Sequence, residues 1–227
     1  MKLIHNLVVL FVLSTSFNCL ASIIFINEIH YDNAGTDQNE FFEIMGEAGF
    51  DLSGWQVELY NGSNGETYGN TINLSGVLAD SHHGFGFASF FPTSFQNGSP
   101  DGLALIDNNG VVQQFLSYEG TITATAGSAI GLTSIDIGIS ESSSTPANFS
   151  LQLTGSSNNY QDFTWQAMAH TSGFINSGQV LKTNQTATTS VPEPMTVLLL
   201  LVSLVALVVL RLFTNTMKHH KINQPLY

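Results

Sequence analysis

The chain has 227 residues, of which 17 are Asp or Glu and only 5 are Lys or Arg, so its formal net charge is −12. Nucleic-acid binding draws on Lys and Arg that displace phosphate counterions, and this balance excludes that footprint; anionic membranes and acidic polysaccharides also repel such a chain unless divalent cations bridge the two. One cysteine, Cys19, excludes an internal disulfide framework and a thiolate metal cluster.

The N-terminus reads as an export signal. Lys2 supplies a positive start, residues 3–17 are largely apolar, and Cys19 and Ala21 are small residues at the positions a signal peptidase reads. Residues 1–21 are therefore predicted to be a signal peptide cleaved between Ala21 and Ser22, which removes the cysteine. Of the basic residues only Lys182 then lies between residues 22 and 190, against sixteen acidic ones. Solubility and affinity for cations are the simplest consequences.

Residues 22–181 read as one all-β domain. Strands are predicted at 23–31, 40–44, 55–60, 85–90, 103–106, 111–118, 149–153 and 163–168, short runs rich in Ile, Val, Phe, Tyr and Trp set between Gly, Asn, Asp and Ser. Asp107-Asn108-Asn109-Gly110 is predicted to join two of them as a tight hairpin, because Asn and Gly tolerate the positive φ such turns require. No apolar pattern keeps helical spacing over three turns. Seven or eight strands of this kind argue for a β-sandwich.

Within this frame several residues are candidates for chemistry. Glu28, Asp32, Asn33, Asp37, Glu40 and Glu43 fall within sixteen residues, around a Gly-containing loop between two strands. Calcium takes six to eight oxygens from carboxylates, carbonyls and water, so these six are candidate divalent-cation ligands. The spacing is not that of an EF-hand, since Ala34 follows Asp32 by two, and a solvated acidic loop is the alternative. His82-His83 beside Asp80 is read as a solvated turn, and His30 and His170 as partly exposed sheet residues. No Gly-x-Ser-x-Gly elbow, His-Glu-x-x-His or phosphate loop occurs, and no catalytic residue is assigned. Trp55, Tyr60, Tyr68, Phe85, Phe87, Phe90, Phe91 and Trp165 could offer a platform for sugar faces, but alternating aromatics in a sandwich are expected in the core.

The order of these segments resembles a known family. Ile26-Asn27-Glu28-Ile29-His30-Tyr31-Asp32-Asn33, then Glu40-Phe41-Phe42-Glu43-Ile44, Asp51-Leu52-Ser53-Gly54-Trp55 and Asp101-Gly102-Leu103-Ala104-Leu105 are similar to the strands of a lamin-tail domain. Ser150-Leu151-Gln152-Leu153 and Phe163-Thr164-Trp165 continue the likeness to about Gln179. The resemblance implies an immunoglobulin-like β-sandwich, of a kind that in bacteria often accompanies secreted hydrolases as a non-catalytic module.

Residues 182–190 read as a flexible polar linker. Val191-Pro192-Glu193-Pro194 follows, then an apolar run; a transmembrane helix is predicted at about 195–213, long enough at about 1.5 Å per residue to cross one hydrocarbon core. Arg211 lies near its end, and Lys218-His219-His220-Lys221 form a basic tail that places this end in the cytoplasm and the module outside. Residues 191–221 resemble the PEP-CTERM sorting signal of Gram-negative bacteria, leaving 222–227 as a tail. That resemblance implies an exosortase-type processing enzyme as partner and a destination at the cell surface or in the extracellular matrix. The functional expectation is a displayed non-catalytic module; the alternatives are a calcium-dependent module for an extracellular polysaccharide and a hydrolase with an unrecognised site.

Overall fold

The computed structural model describes residues 23–182 apart from 94 and 99, together with 203, 204, 207 and 211. The chain divides into two compact units, Met1–Thr183 and Asn184–Tyr227. In the second unit the four described residues, Arg211 among them, are helical. Among the described residues no helix is long and apolar enough to cross a membrane. The predicted signal peptide with Ala21 and Ser22, residues 183–190 of the predicted linker, Val191, Pro192, Glu193 and Pro194, and most of the predicted span lie outside the described residues.

The first unit is all-β. Its strands are β1 (Ile24–His30), β2 (Phe41–Glu47), β3 (Gln56–Asn61), β4 (Glu66–Asn73), β5 (Phe85–Phe90), β6 (Asp101–Ile106), β7 (Val112–Tyr118), β8 (Ile135–Asp136), β9 (Phe149–Ser157), β10 (Thr164–Ala169) and β11 (Gln179–Leu181). They form two sheets. One runs β10-β9-β1-β2-β5 with β11 added to β9, and the other runs β4-β3-β6-β7-β8. Ile26, Ile29 and Ile44 of the first sheet and Val57, Leu59, Leu103, Leu105 and Leu116 of the second share one buried core. Each fully buried side chain of this size contributes about 1.5–3 kcal/mol, and with no disulfide this packing holds the module.

The eight predicted strands correspond to eight observed ones, with ends shifted by a few residues. Three strands were not predicted. β4 is exposed along most of its length and carries Glu66, Thr67, Asn70, Thr71 and Asn73, with only Tyr68 and Ile72 packed partly on the core, too few to show an alternating face. β8 and β11 have two and three residues. The 107–110 hairpin forms as predicted: Asp107 Oδ1 accepts from Asn109 N and Val111 N at 2.8 Å each, and Gly110 takes φ 78°. A second, smaller apolar cluster covers the outer face of the second sheet, where Ile122, Ala124 and Ala129 pack on Tyr60, Ala104 and Phe115. With both its faces covered, β6 is buried at every residue.

Candidate functional site

β1 and β2 pair antiparallel, and the register slips by one residue at Asn27. A bulge of this kind re-aims neighbouring side chains, here bringing Asn27 and Glu28 together against Glu43. All three are fully buried. Glu28 Oε1 accepts from Ser150 Oγ at 2.5 Å, Gln152 Nε2 at 3.2 Å and Thr171 N at 2.9 Å, and Oε2 from Thr171 Oγ1 at 3.1 Å. Glu43 Oε1 accepts from Asn27 Nδ2 at 3.0 Å, and Oε2 from Ser89 Oγ at 3.0 Å and Gly173 N at 2.6 Å. Asn27 Oδ1 in turn accepts from Gln179 Nε2 at 2.7 Å, while Asn176 Nδ2 donates to the carbonyls of Asn27 and Leu153 at 3.0 Å each.

The two carboxyls thus fasten the segment from Thr171 to Gln179 across the outer face of the first sheet. Their oxygens are filled by protein donors, an arrangement of staples and not of open ligands. Burial raises Glu28, with its hydrogen bonds pulling the other way. Burial, then the charge of Glu28, pushes Glu43 up to about 8 against the pull of its three donors. Burial and the nearness of the two carboxyls of facing residues thus favour the neutral form of Glu43.

At the end of β1 a second buried cluster forms. His30 Nδ1 lies 2.8 Å from Glu141 Oε1, and His30 Nε2 lies 3.2 Å from the Gln38 carbonyl. Glu141 Oε2 also accepts from Tyr31 N at 2.6 Å and Asp32 N at 3.1 Å. The carboxylate and the carbonyl on its two sides favour the doubly protonated ring, and His30, expected as a partly exposed sheet residue, is instead buried. Burial lowers the pKa of His30, but the Glu141 hydrogen bond and charge outweigh it and the net direction is upward. Tyr31 completes the cluster: its hydroxyl donates to Glu119 Oε1 at 3.0 Å and accepts from Glu141 N at 2.8 Å, and its ring stacks on Tyr118 at 3.7 Å.

The six predicted cation ligands accordingly separate. Glu28 and Glu43 belong to the buried network. Asn33 is buried too, but its amide is spent on the loop, accepting from Gln38 N and donating to the carbonyls of Ala34 and Thr36. Asp32, Asp37 and Glu40 stay together at the loop. Burial and the Asp37 charge raise Asp32, and the same two causes push Glu40 up to about 7. Asp37 Oδ2 accepts from Asn97 Nδ2 at 2.9 Å. Among the described residues no group of three or more His, Cys, Asp or Glu is arranged to hold a metal ion.

Of the aromatic candidates, Trp55, Tyr60, Phe85 and Trp165 are core residues as expected. Phe91 is not, at 62% exposed. Its ring lies 5.8 Å from that of Phe41, beside a cavity of about 170 Å3 lined by His30, Asn39, Phe41, Phe91, His170 and Ser172. His82-His83 is a turn, half-buried at His82 and exposed at His83, closed by Asp80 Oδ1 accepting from Gly84 N at 3.0 Å.

The residues that sequence reasoning missed are Glu141, Ser150, Gln152, Thr171 and Gly173, all more than 100 residues from their partners in β1 or β2. Only the like-charged Glu28 and Glu43 among apolar neighbours signalled that buried donors had to exist. No protein-family model, no curated protein and no solved structure matches this chain.

Proposed function

We propose that the chain is an exported, non-catalytic β-sandwich module, immunoglobulin-like and of lamin-tail type, displayed in the cell envelope or extracellular matrix through an exosortase-type signal. The observation that carries the non-catalytic reading is that its buried ionisable side chains are spent on the fold itself. His30 has both ring nitrogens bonded, to Glu141 and Gln38, and is not free to act as a base. Glu28 and Glu43 are filled by donors from the segment that closes the sheet. The display reading draws on the sequence of both ends: an apolar leader before Ser22, and Val191-Pro192-Glu193-Pro194 ahead of an apolar run with Arg211. The excess of sixteen acidic residues over Lys182 between residues 22 and 190 suits a soluble face turned to water and cations.

Intact mass spectrometry of protein from membrane and extracellular fractions tests this. A mature form beginning at Ser22 and ending near Pro194 is expected. A form that keeps residues 195–227 and occurs only in membranes would replace sorting with simple anchoring.

The alternative reading, a calcium-dependent module for an extracellular polysaccharide, is favoured by the crowding of Asp32, Asp37 and Glu40, the first and last each raised by burial and by the charge of Asp37. Calorimetry with millimolar calcium decides between the two: heat together with a raised Tm favours this alternative, and neither favours display alone.

A further inference from the structure

We propose that the cavity at the ends of β1, β2 and β5 is a subsite for one neutral hexose ring of a glycan. Five separate parts of the chain meet there: His30 closes β1, Asn39 and Phe41 open β2, Phe91 follows β5, Ala147 precedes β9, and His170 and Ser172 follow β10. Loops gathered at one end of a rigid scaffold are where binding groups concentrate.

Size sets the first limit on the occupant. The volume of about 170 Å3 is close to the roughly 150 Å3 that accepts a single six-membered ring, so it seats one ring at a time. Shape sets the second. Phe41 is 2% exposed and Phe91 62%, with ring planes 40° apart and centroids at 5.8 Å, so they form a corner with one open aromatic face. The C–H face of a pyranose packs on such a ring, leaving its hydroxyls at the rim.

The rim holds two polar side chains to receive them. The Asn39 amide and the His170 imidazole are exposed, and neither has a hydrogen-bond partner among the described residues. Asn39 takes φ 56°, the left-handed region where glycine carries no penalty. Asparagine tolerates this conformation, which holds its amide at the mouth of the cavity.

Charge excludes acidic sugars. The His30 cation is already balanced by Glu141, and Glu28 and Glu40 lie near the two histidines. A carboxylate entering this corner meets net repulsion. Ser172 donates to Ser89 Oγ at 2.8 Å and remains available to accept from a hydroxyl. The subsite needs no calcium, and it extends the display reading by giving the displayed module something to hold.

The test is ligand-observed and protein-observed NMR on the full-length protein, with glucose, galactose and mannose as neutral probes. Glucuronate and N-acetylphenylalanine amide serve as the acidic and peptide-like competitors. Binding of at least one neutral hexose in the millimolar range is expected, weakened about tenfold by Phe91→Ala and about threefold by Asn39→Gly. Phe91 is exposed and glycine suits the backbone of residue 39, so both variants are expected to fold with unchanged or higher Tm.

No neutral hexose binding at concentrations of about 50 mM, far above a millimolar dissociation constant, would overturn the proposal. So would tighter binding of glucuronate, or binding of the phenylalanine amide alone, which would make the cavity a peptide site. Cellular location plays no part in this assay, so its failure leaves the display reading standing, and failure of display leaves the subsite standing.

Discussion

Replacing Glu43 by Gln removes the one buried carboxyl that is pushed up to about 8, and the consequence for stability follows from the direction of that shift. A carboxyl raised in the folded state stabilises the fold fully below its unfolded pKa, and that stability is lost as pH rises through the folded value. Between the ordinary 4.5 and about 8 the loss accumulates at about 1.4 kcal/mol per pH unit, or about 5 kcal/mol in all. Glutamine is neutral throughout. Its carbonyl can take the place of Oε2 and accept from Gly173 N and Ser89 Oγ, while its amide faces Asn27. The Asn27 and Gln179 amides then turn over together to accept in sequence. That rearrangement costs about 1 kcal/mol, since the weak Asn176 N contact to Gln179 Oε1 at 3.4 Å is given up.

Urea midpoints measured from about pH 5 to about pH 9 read the difference. The wild type is expected to lose several kcal/mol across this range. The variant is expected to be slightly weaker than wild type near pH 5 and stronger near pH 9, crossing between. Some slope persists in both, because His30 is raised by Glu141 and its stabilisation is likewise lost as pH rises through its folded pKa. Parallel curves for the two proteins would refute the argument, since they would show that Glu43 is ionised throughout.

Three further substitutions probe other features. Glu141→Gln strands the buried His30 cation and is expected to cost about 3 kcal/mol in denaturant unfolding, against about 1 kcal/mol for a lost neutral hydrogen bond; a cost at the lower value would show that His30 is neutral. Asp37→Asn keeps the bond from Asn97 but removes the charge that helps raise Glu40, so an NMR titration should find the Glu40 carboxyl below about 7, and an unchanged midpoint would separate the two side chains. Gly102→Ala would place a methyl group 2.3 Å from the Leu116 carbonyl and 3.1 Å from Ser117 Cα, inside the β6–β7 ladder. A loss of about 2–3 kcal/mol is expected by thermal or urea unfolding, and a neutral result would mean the ladder can open there.

Where one side of a strand was apolar and its ends carried Gly, Asn or Asp, local sequence was sufficient. The 107–110 turn and the pairing of β6 with β7 follow from Asp107, Gly110 and the runs beside them. β4 escaped because an edge strand that packs only Tyr68 and Ile72 on the core needs no full apolar alternation, and its pairing to β3 is visible only in the register from Gln56↔Asn73 to Asn61↔Glu66. The acidic residues were legible as a group but not by role. Glu28 and Glu43 differ from Asp32 and Asp37 in the donors they meet, and those donors come from β9 and from residues 171–173, which no local pattern links to β1. The bulge at Asn27 decides which side chains face that segment, and a one-residue slip leaves no mark in composition.

The last strand has a mechanical meaning. β11 pairs parallel with the far half of β9, Gln179↔Gly155 to Leu181↔Ser157, and Lys182 N still donates to the Ser157 carbonyl at 3.0 Å. Any pull on the chain beyond Lys182 enters the sandwich through these few bonds. Behind them stand the bonds from Thr171, Gly173 and Asn176 to β1, β2 and β9, which must stretch together before the sheets feel the load. The module thus meets tension with a short breakaway strand backed by a hydrogen-bonded clasp. Because that clasp is centred on Glu28 and Glu43, its grip slackens as the surrounding water turns alkaline.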